Sequence, residues 1–272
     1  MDPVHIAIFV AAVPAVVAAA VFLVTRWLRR GGDPAADAGP AVAAGFIAGF
    51  VGAAGAPSFP ILDAWKWLFH IALAGGLLAV VAARAASPPE AIRWTLRAAL
   101  AAFAVWVTVL DRTVPWLGGA FVAVMALTWF ADGLAQRAGA SAFLATMLVV
   151  ATGTAVANGV ANSAMLGQVG GGLCAPLGAC LVLSWFLPAA VRGAVALVTV
   201  LLAAMTLNGL NYELPVASAV LLAAAVPAAW LAAGLLASMK SQRRTALVIA
   251  VAVLFAGTAV SIAVAKSEPL VY

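Results

Sequence analysis

The chain has 272 residues, of which 66% are hydrophobic and 8% are charged, and its formal net charge is +5. Soluble domains carry about a quarter charged residues, so this composition excludes a soluble globular domain. Near-continuous apolar runs of about twenty residues favour helices over barrel strands, in which apolar residues alternate. The predicted fold is therefore all-α: a polytopic transmembrane helix bundle that forms a single integral-membrane domain over residues 1–272.

Ten transmembrane spans are predicted from the apolar runs and from the turn-rich segments between them. They are, in chain order, His5–Thr25, Ala41–Ala56, Trp67–Ala86, Ile92–Leu110, Trp116–Phe130, Ser141–Ala157, Ala164–Phe186, Gly193–Leu207, Val216–Ala237 and Thr245–Ala265. The spans divide into two halves of five, residues 1–131 and 140–272. An odd number of spans in each half predicts that the halves are inverted relative to each other.

The basic residues alternate along the chain in a way that supports ten spans. Loops after odd-numbered spans carry 11 of the 14 Lys and Arg residues, and the other loops and the two termini carry 3. Basic loops stay on the cytoplasmic side. Residues 31–40 and 239–245 are therefore predicted to face the cytoplasm of a bacterial-type inner membrane, with Asp2 and Glu268 outside. Because orientation accounts for the positive charge, the predicted partner is the lipid bilayer and not nucleic acid.

Glycines and a proline interrupt spans two and seven. Small residues four apart, such as Gly45 and Gly49, let helix backbones approach closely, so tight packing is one interpretation. Interrupted segments at matching places in two halves are also typical of a transporter's binding site. Under that second interpretation the substrate-lining candidates are Gln168, Gly171, Gly172, Pro176, Gly45, Gly49, Asn158 and Asn162.

Three polar side chains in or near the spans have two interpretations each. Asn158 and Asn162 fit a turn outside the membrane, and Gln168 fits a hydrogen bond between helices; all three also fit a path for a solute. In a carrier, span seven is expected to be irregular before Pro176, with Gln168 facing a cavity. Arg97 lies about one turn inside span four and is expected to extend its guanidinium to the cytoplasmic surface.

No cofactor, metal site or catalytic set is predicted. His5 and His70 are the only histidines, and both lie near the outer ends of spans. Cys174 and Cys180 are six residues apart in one helix, which places their Cα atoms about 9 Å apart, too far for a disulfide. The sequence has no Ser/His/Asp set, HExxH, phosphate-binding loop or CxxC motif, so we do not expect an enzyme.

Two functions of different classes follow. Ten short spans in fewer than 300 residues resemble, in number and size alone, the drug/metabolite transporter superfamily. That resemblance implies a small solute carrier, although the predicted outside termini differ from the cytoplasmic termini usual in that family. The alternative is a non-catalytic scaffold or accessory subunit whose helices serve a membrane-protein partner.

Overall fold

A computed structural model describes residues 7–28, 36–57, 59–61, 63–84, 89–109, 113–161 and 163–267. Within these ranges the chain forms ten α-helices, which confirms the all-α bundle. They are α1 (Val13–Leu28), α2 (Ala38–Ala54), α3 (Trp67–Arg84), α4 (Glu90–Thr108), α5 (Val114–Ala138), α6 (Ala140–Val160), α7 (Ala164–Phe186), α8 (Arg192–Asn211), α9 (Val216–Leu235) and α10 (Ser241–Lys266). A π-helical segment, Ala7–Ala12, leads into α1, and a 3-10 turn, Ala64–Lys66, precedes α3.

Nine of the described helices are long and apolar enough to cross a membrane, so the chain is a multi-pass membrane protein. The exception is α2, which has 17 residues. At about 1.5 Å per residue it is roughly 25 Å long, slightly less than a hydrocarbon core of about 30 Å. The second span is therefore short in the structure, as its sequence indicates.

The fifth helix is longer than the predicted fifth span. The polar segment after Phe130 was expected to leave the helix, but α5 continues to Ala138 and ends at Gly139, whose φ is 87°. Ala, Leu, Gln and Arg in this segment are good helix formers, and glycine adopts a positive φ without steric cost. Asp132 therefore lies inside a helix and not in a loop.

Short strands bring the starts of α2 and α8 together. Strand β1 (Ala36–Asp37) pairs in parallel with β2 (Ala189–Ala190), directly before these two helices. We call this the proximal end of the bundle, and the end at which α6 and α8 finish the distal end. Because successive helices run in opposite directions, every even-numbered helix begins at the proximal end.

Helices α6 and α8 form the buried centre of the bundle. The apolar stretch of α8 is 78% buried and that of α6 is 67% buried, against 17% for the peripheral α5. Helix α2 packs on α7, and α3 packs on α8. The division into two inverted halves stays a prediction.

Candidate functional site

The small-residue faces of α2 and α7 meet in the middle of the bundle. A Cβ atom built on Gly49 would lie 2.9 Å from the Cα of Gly172, and one built on Gly45 would lie 2.6 Å from the Cβ of Pro176. Contacts this short leave no room for a side chain at either glycine. The four candidate residues thus lie together in one seam, where the two helix backbones touch.

Helix α7 is unbroken across this seam. It runs as α-helix from Ala164 to Phe186 with Pro176 inside it, so the irregular backbone expected for a carrier is absent from this described stretch. Proline removes one helical hydrogen bond and usually bends a helix away from its ring. Here Gly45 has no side chain opposite the ring, which leaves space for the proline without a break.

Two other candidates in α7 lie outside the tightest contact. Gln168 is half-buried, and its side chain makes no hydrogen bond with a described residue. Gly171 is also half-buried, and a Cβ atom built there would approach only Val10 Cγ1, at 3.1 Å. The close contacts fall at Gly170 and Gly172, because three consecutive glycines present three different faces of one helix.

Replacing Gly49 with Leu is expected to destabilise the bundle by about 1–3 kcal/mol or more, since the new side chain must displace the backbone of α7. Gly257→Leu in α10 is the matched control, because a Cβ atom there meets no described atom within 4 Å. Thermal unfolding in detergent would measure both variants. Equal midpoints would contradict the close contact at Gly172.

Asn158 lies inside the bundle, so its placement in an external turn was wrong. It occupies the last turn of α6, is fully buried, and its Nδ2 donates to the Met205 carbonyl at 3.5 Å. Its amide oxygen lies against the Cα of Gly209, where a side chain would collide with it. This oxygen has no hydrogen-bond partner among the described residues. The amide oxygen of the buried Asn208 has none there either. Asn162 lies outside the described residues.

A buried ion pair joins α4 and α5 near the proximal end. Arg97 is 4% exposed, and its Nη2 donates to Asp132 Oδ1 at 2.8 Å. Asp132 Oδ2 also accepts from Gln136, and the Arg97 guanidinium stacks on Trp94. The expected extension of Arg97 to the surface was therefore wrong. The sequence does not indicate this partner, because the predicted fifth span ends at Phe130, before Asp132.

The second buried carboxylate, Asp37, holds two helix starts together. It caps α2, with Oδ1 accepting from the backbone N–H of Gly39 at 2.8 Å, and Oδ2 accepts from the backbone N–H of Gly193 at 2.9 Å. Helix starts carry unpaired N–H groups and a positive dipole end, so one carboxylate stabilises both. An Asp before an apolar run predicts a helix cap. No sequence pattern predicts the bond to Gly193, which lies 156 residues further along the chain.

A cavity of about 360 Å³ lies elsewhere, between α5, α6, α8 and α9. Apart from Trp116 at its exposed rim, its described lining residues with polar side-chain atoms are Thr199 and Thr206. Both hydroxyls donate to carbonyls of their own helix, at 2.7 Å and 2.8 Å. None of the described substrate-lining candidates is part of this wall, so the seam and the cavity are separate features.

Possible ligands for a metal are dispersed in the described part of the chain. No group of three or more His, Cys, Asp or Glu residues lies together there. His70 packs among the rings of Phe59, Trp67 and Phe69, and His5 lies outside the described residues.

Tyr212 follows the last residue of α8, at the distal end. Partial burial raises the pKa of its phenol, and the nearby Asp63 carboxylate raises it further.

The comparisons with known proteins give no family for this chain. No protein-family model matches it, and neither the curated proteins nor the solved structures contain a significant match.

Proposed function

We propose that this multi-pass membrane protein is a non-catalytic scaffold or accessory subunit of a membrane complex. The observation that carries the proposal is the seam between α2 and α7, where the backbones of Gly49 and Gly172 touch. Tight packing and a solute path are the two interpretations that the sequence leaves open for this seam. Its closure by backbone contact, with α7 unbroken beside it, supports a packed structural bundle.

The second candidate is a small solute carrier whose halves separate at the proximal end. The halves are joined by a polar contact at each end: the Gly193 N–H donates to Asp37 at the proximal end, and Asn211 Nδ2 donates to the Thr108 carbonyl at the distal end. This arrangement supports the candidate, because a carrier would have to break the Asp37 bond when the proximal end opened and the Asn211 bond when the distal end opened. The two candidates therefore differ in whether the bundle opens.

The reactivity of the Cys180 thiol tests whether the bundle opens, and it can be measured when the substrate is unknown. It is fully buried in α7, and the variant Cys174→Ala leaves it as the single cysteine. In a scaffold, Cys180 is expected to stay unmodified by N-ethylmaleimide in native membranes and to react only after denaturation. Ser241→Cys in a cysteine-free chain is the exposed control. Complete modification of Cys180 under native conditions would favour the carrier.

The scaffold proposal also predicts a stable partner. Crosslinking in native membranes, followed by purification with native lipids, is expected to recover a membrane protein in constant ratio to this chain. The same preparation reconstituted in liposomes tests uptake of small solutes. A chain recovered alone after crosslinking, together with measurable uptake, would reject the scaffold in favour of the carrier.

We further propose a bacterial-type inner membrane with both termini outside, on the basis of the basic residues. Ser241 and Ser267 flank α10 and so lie at opposite ends of one spanning helix. In a chain with Cys174 and Cys180 replaced by Ala, Ser267→Cys is expected to react with an impermeant thiol reagent in intact cells. Ser241→Cys is expected to react only after lysis. The reversed pattern would reject this orientation.

A further inference from the structure

We propose that the cavity between α5, α6, α8 and α9 binds an acyl chain of a membrane phospholipid. The cavity begins at an exposed rim near the distal end, where Trp116 is 66% exposed and Val216 is 69% exposed. Its floor reaches Met147, which is fully buried in α6 near the middle of the bundle. A ligand would therefore enter from the apolar surface of the bundle and extend inwards.

The residues that line the cavity favour a hydrocarbon ligand. The hydroxyls of Thr199 and Thr206 already donate within their own helix, so neither provides a free donor for a polar ligand. The rest of the described inner wall is aliphatic, including Val124 and Leu202. A water molecule needs two to four polar partners, which this wall does not offer, whereas an apolar cavity readily binds an apolar molecule.

The surroundings of the rim identify the source of that hydrocarbon. The rim belongs to α5 and α9, and α5 is the least buried of the spanning helices, with 17% of its apolar stretch inside the bundle. In a membrane this exposed apolar surface faces phospholipid tails. An unfilled cavity also loses packing free energy in proportion to its volume, so an adjacent tail that enters is retained. The cavity would bind an acyl chain in a scaffold and in a carrier alike.

Photolabelling in reconstituted membranes tests the proposal. The probe is a phosphatidylcholine with a diazirine near the methyl end of one acyl chain, and the adducts are located by peptide mass spectrometry. We expect adducts on the buried floor at Met147 and Thr199, in addition to exposed positions such as Leu254. Adducts confined to exposed positions would overturn the proposal.

A variant that fills the cavity provides the matched comparison. Ala203 lines the cavity and is 8% exposed, whereas Ala265 lies on the exposed surface of α10. Ala203→Phe is expected to abolish floor adducts while leaving those at Leu254 unchanged, and Ala265→Phe to change neither. If Ala203→Phe does not fold, the wild-type labelling pattern alone decides.

A second copy of the chain could occupy the rim instead. Val220 lies at the rim and is 60% exposed, so Val220→Cys in a cysteine-free chain would form an intermolecular disulfide in that arrangement. We expect no such crosslink under mild oxidation in the membrane. A disulfide-linked dimer, with no lipid adduct on the floor, would overturn the proposal in favour of self-association.

Discussion

Replacing Asp37 with Ala is expected to lower the free energy of unfolding by about 3–5 kcal/mol, because two hydrogen bonds to one charged group are lost together. The carboxylate is 3% exposed and receives the backbone N–H groups of Gly39 and Gly193. In the Ala variant, the backbone N–H groups of Gly39 and Gly193 stay buried and lose this acceptor. Asp37→Asn retains one acceptor oxygen and is expected to lose an intermediate amount.

Asp63→Ala is the matched control for the Asp37 variant. Asp63 is another aspartate directly before a helical turn, but its side chain is 46% exposed and pairs with Lys66 three residues later. Such surface pairs contribute about 0–1 kcal/mol. Unfolding in mixed micelles with increasing dodecyl sulfate compares the variants. If Asp37→Ala were no less stable than Asp63→Ala, Asp37 would not hold α2 and α8 together.

Asp132→Leu is expected to destabilise the bundle by about 3–5 kcal/mol, because it leaves the charge of Arg97 buried without its partner. The two side chains are 5% and 13% exposed and are joined by a bond of 2.8 Å. Removing both charges in Arg97→Met/Asp132→Leu is expected to restore stability to within about 1–2 kcal/mol of the wild type, since neither desolvated charge is then left.

A double-mutant cycle measures the coupling in this pair. Glu90→Ala is the control, because Glu90 pairs with Arg93 on the same helix α4 while 76% exposed, and its loss is expected to have little effect. Equal stability of Asp132→Leu and the double variant would contradict the expected cost of an unpaired buried charge. It would indicate that Arg97 reaches the membrane surface once Asp132 is gone.

The number of helices, and a small-residue face on α2 and on α7, could be predicted from local patterns. An apolar run of sufficient length must be helical in lipid, because each backbone polar group needs an internal partner. Glycines four residues apart form a smooth face on any helix. The positions of Gly45 and Gly49 therefore indicated a contact surface, although the function of that surface stays a prediction.

The identity of each buried polar partner depended on the tertiary structure. Asn-Gly favours a turn locally, yet Asn158 is buried because Gly209 leaves space for it on another helix. The polar segment around Asp132 predicts a loop, yet Asp132 is buried because it pairs with Arg97 on a neighbouring helix and with Gln136 on its own.

Composition and periodicity determined that this chain is a helical membrane bundle, because the bilayer restricts each segment independently of the others. The tertiary structure alone decided which polar groups meet and where a cavity remains. Asp37 and Gly193 are 156 residues apart in the chain, and their contact follows from how the ten described helices pack side by side. Nothing in either local sequence specifies that distance, because long-range pairing depends on the combined shape of all the packed surfaces.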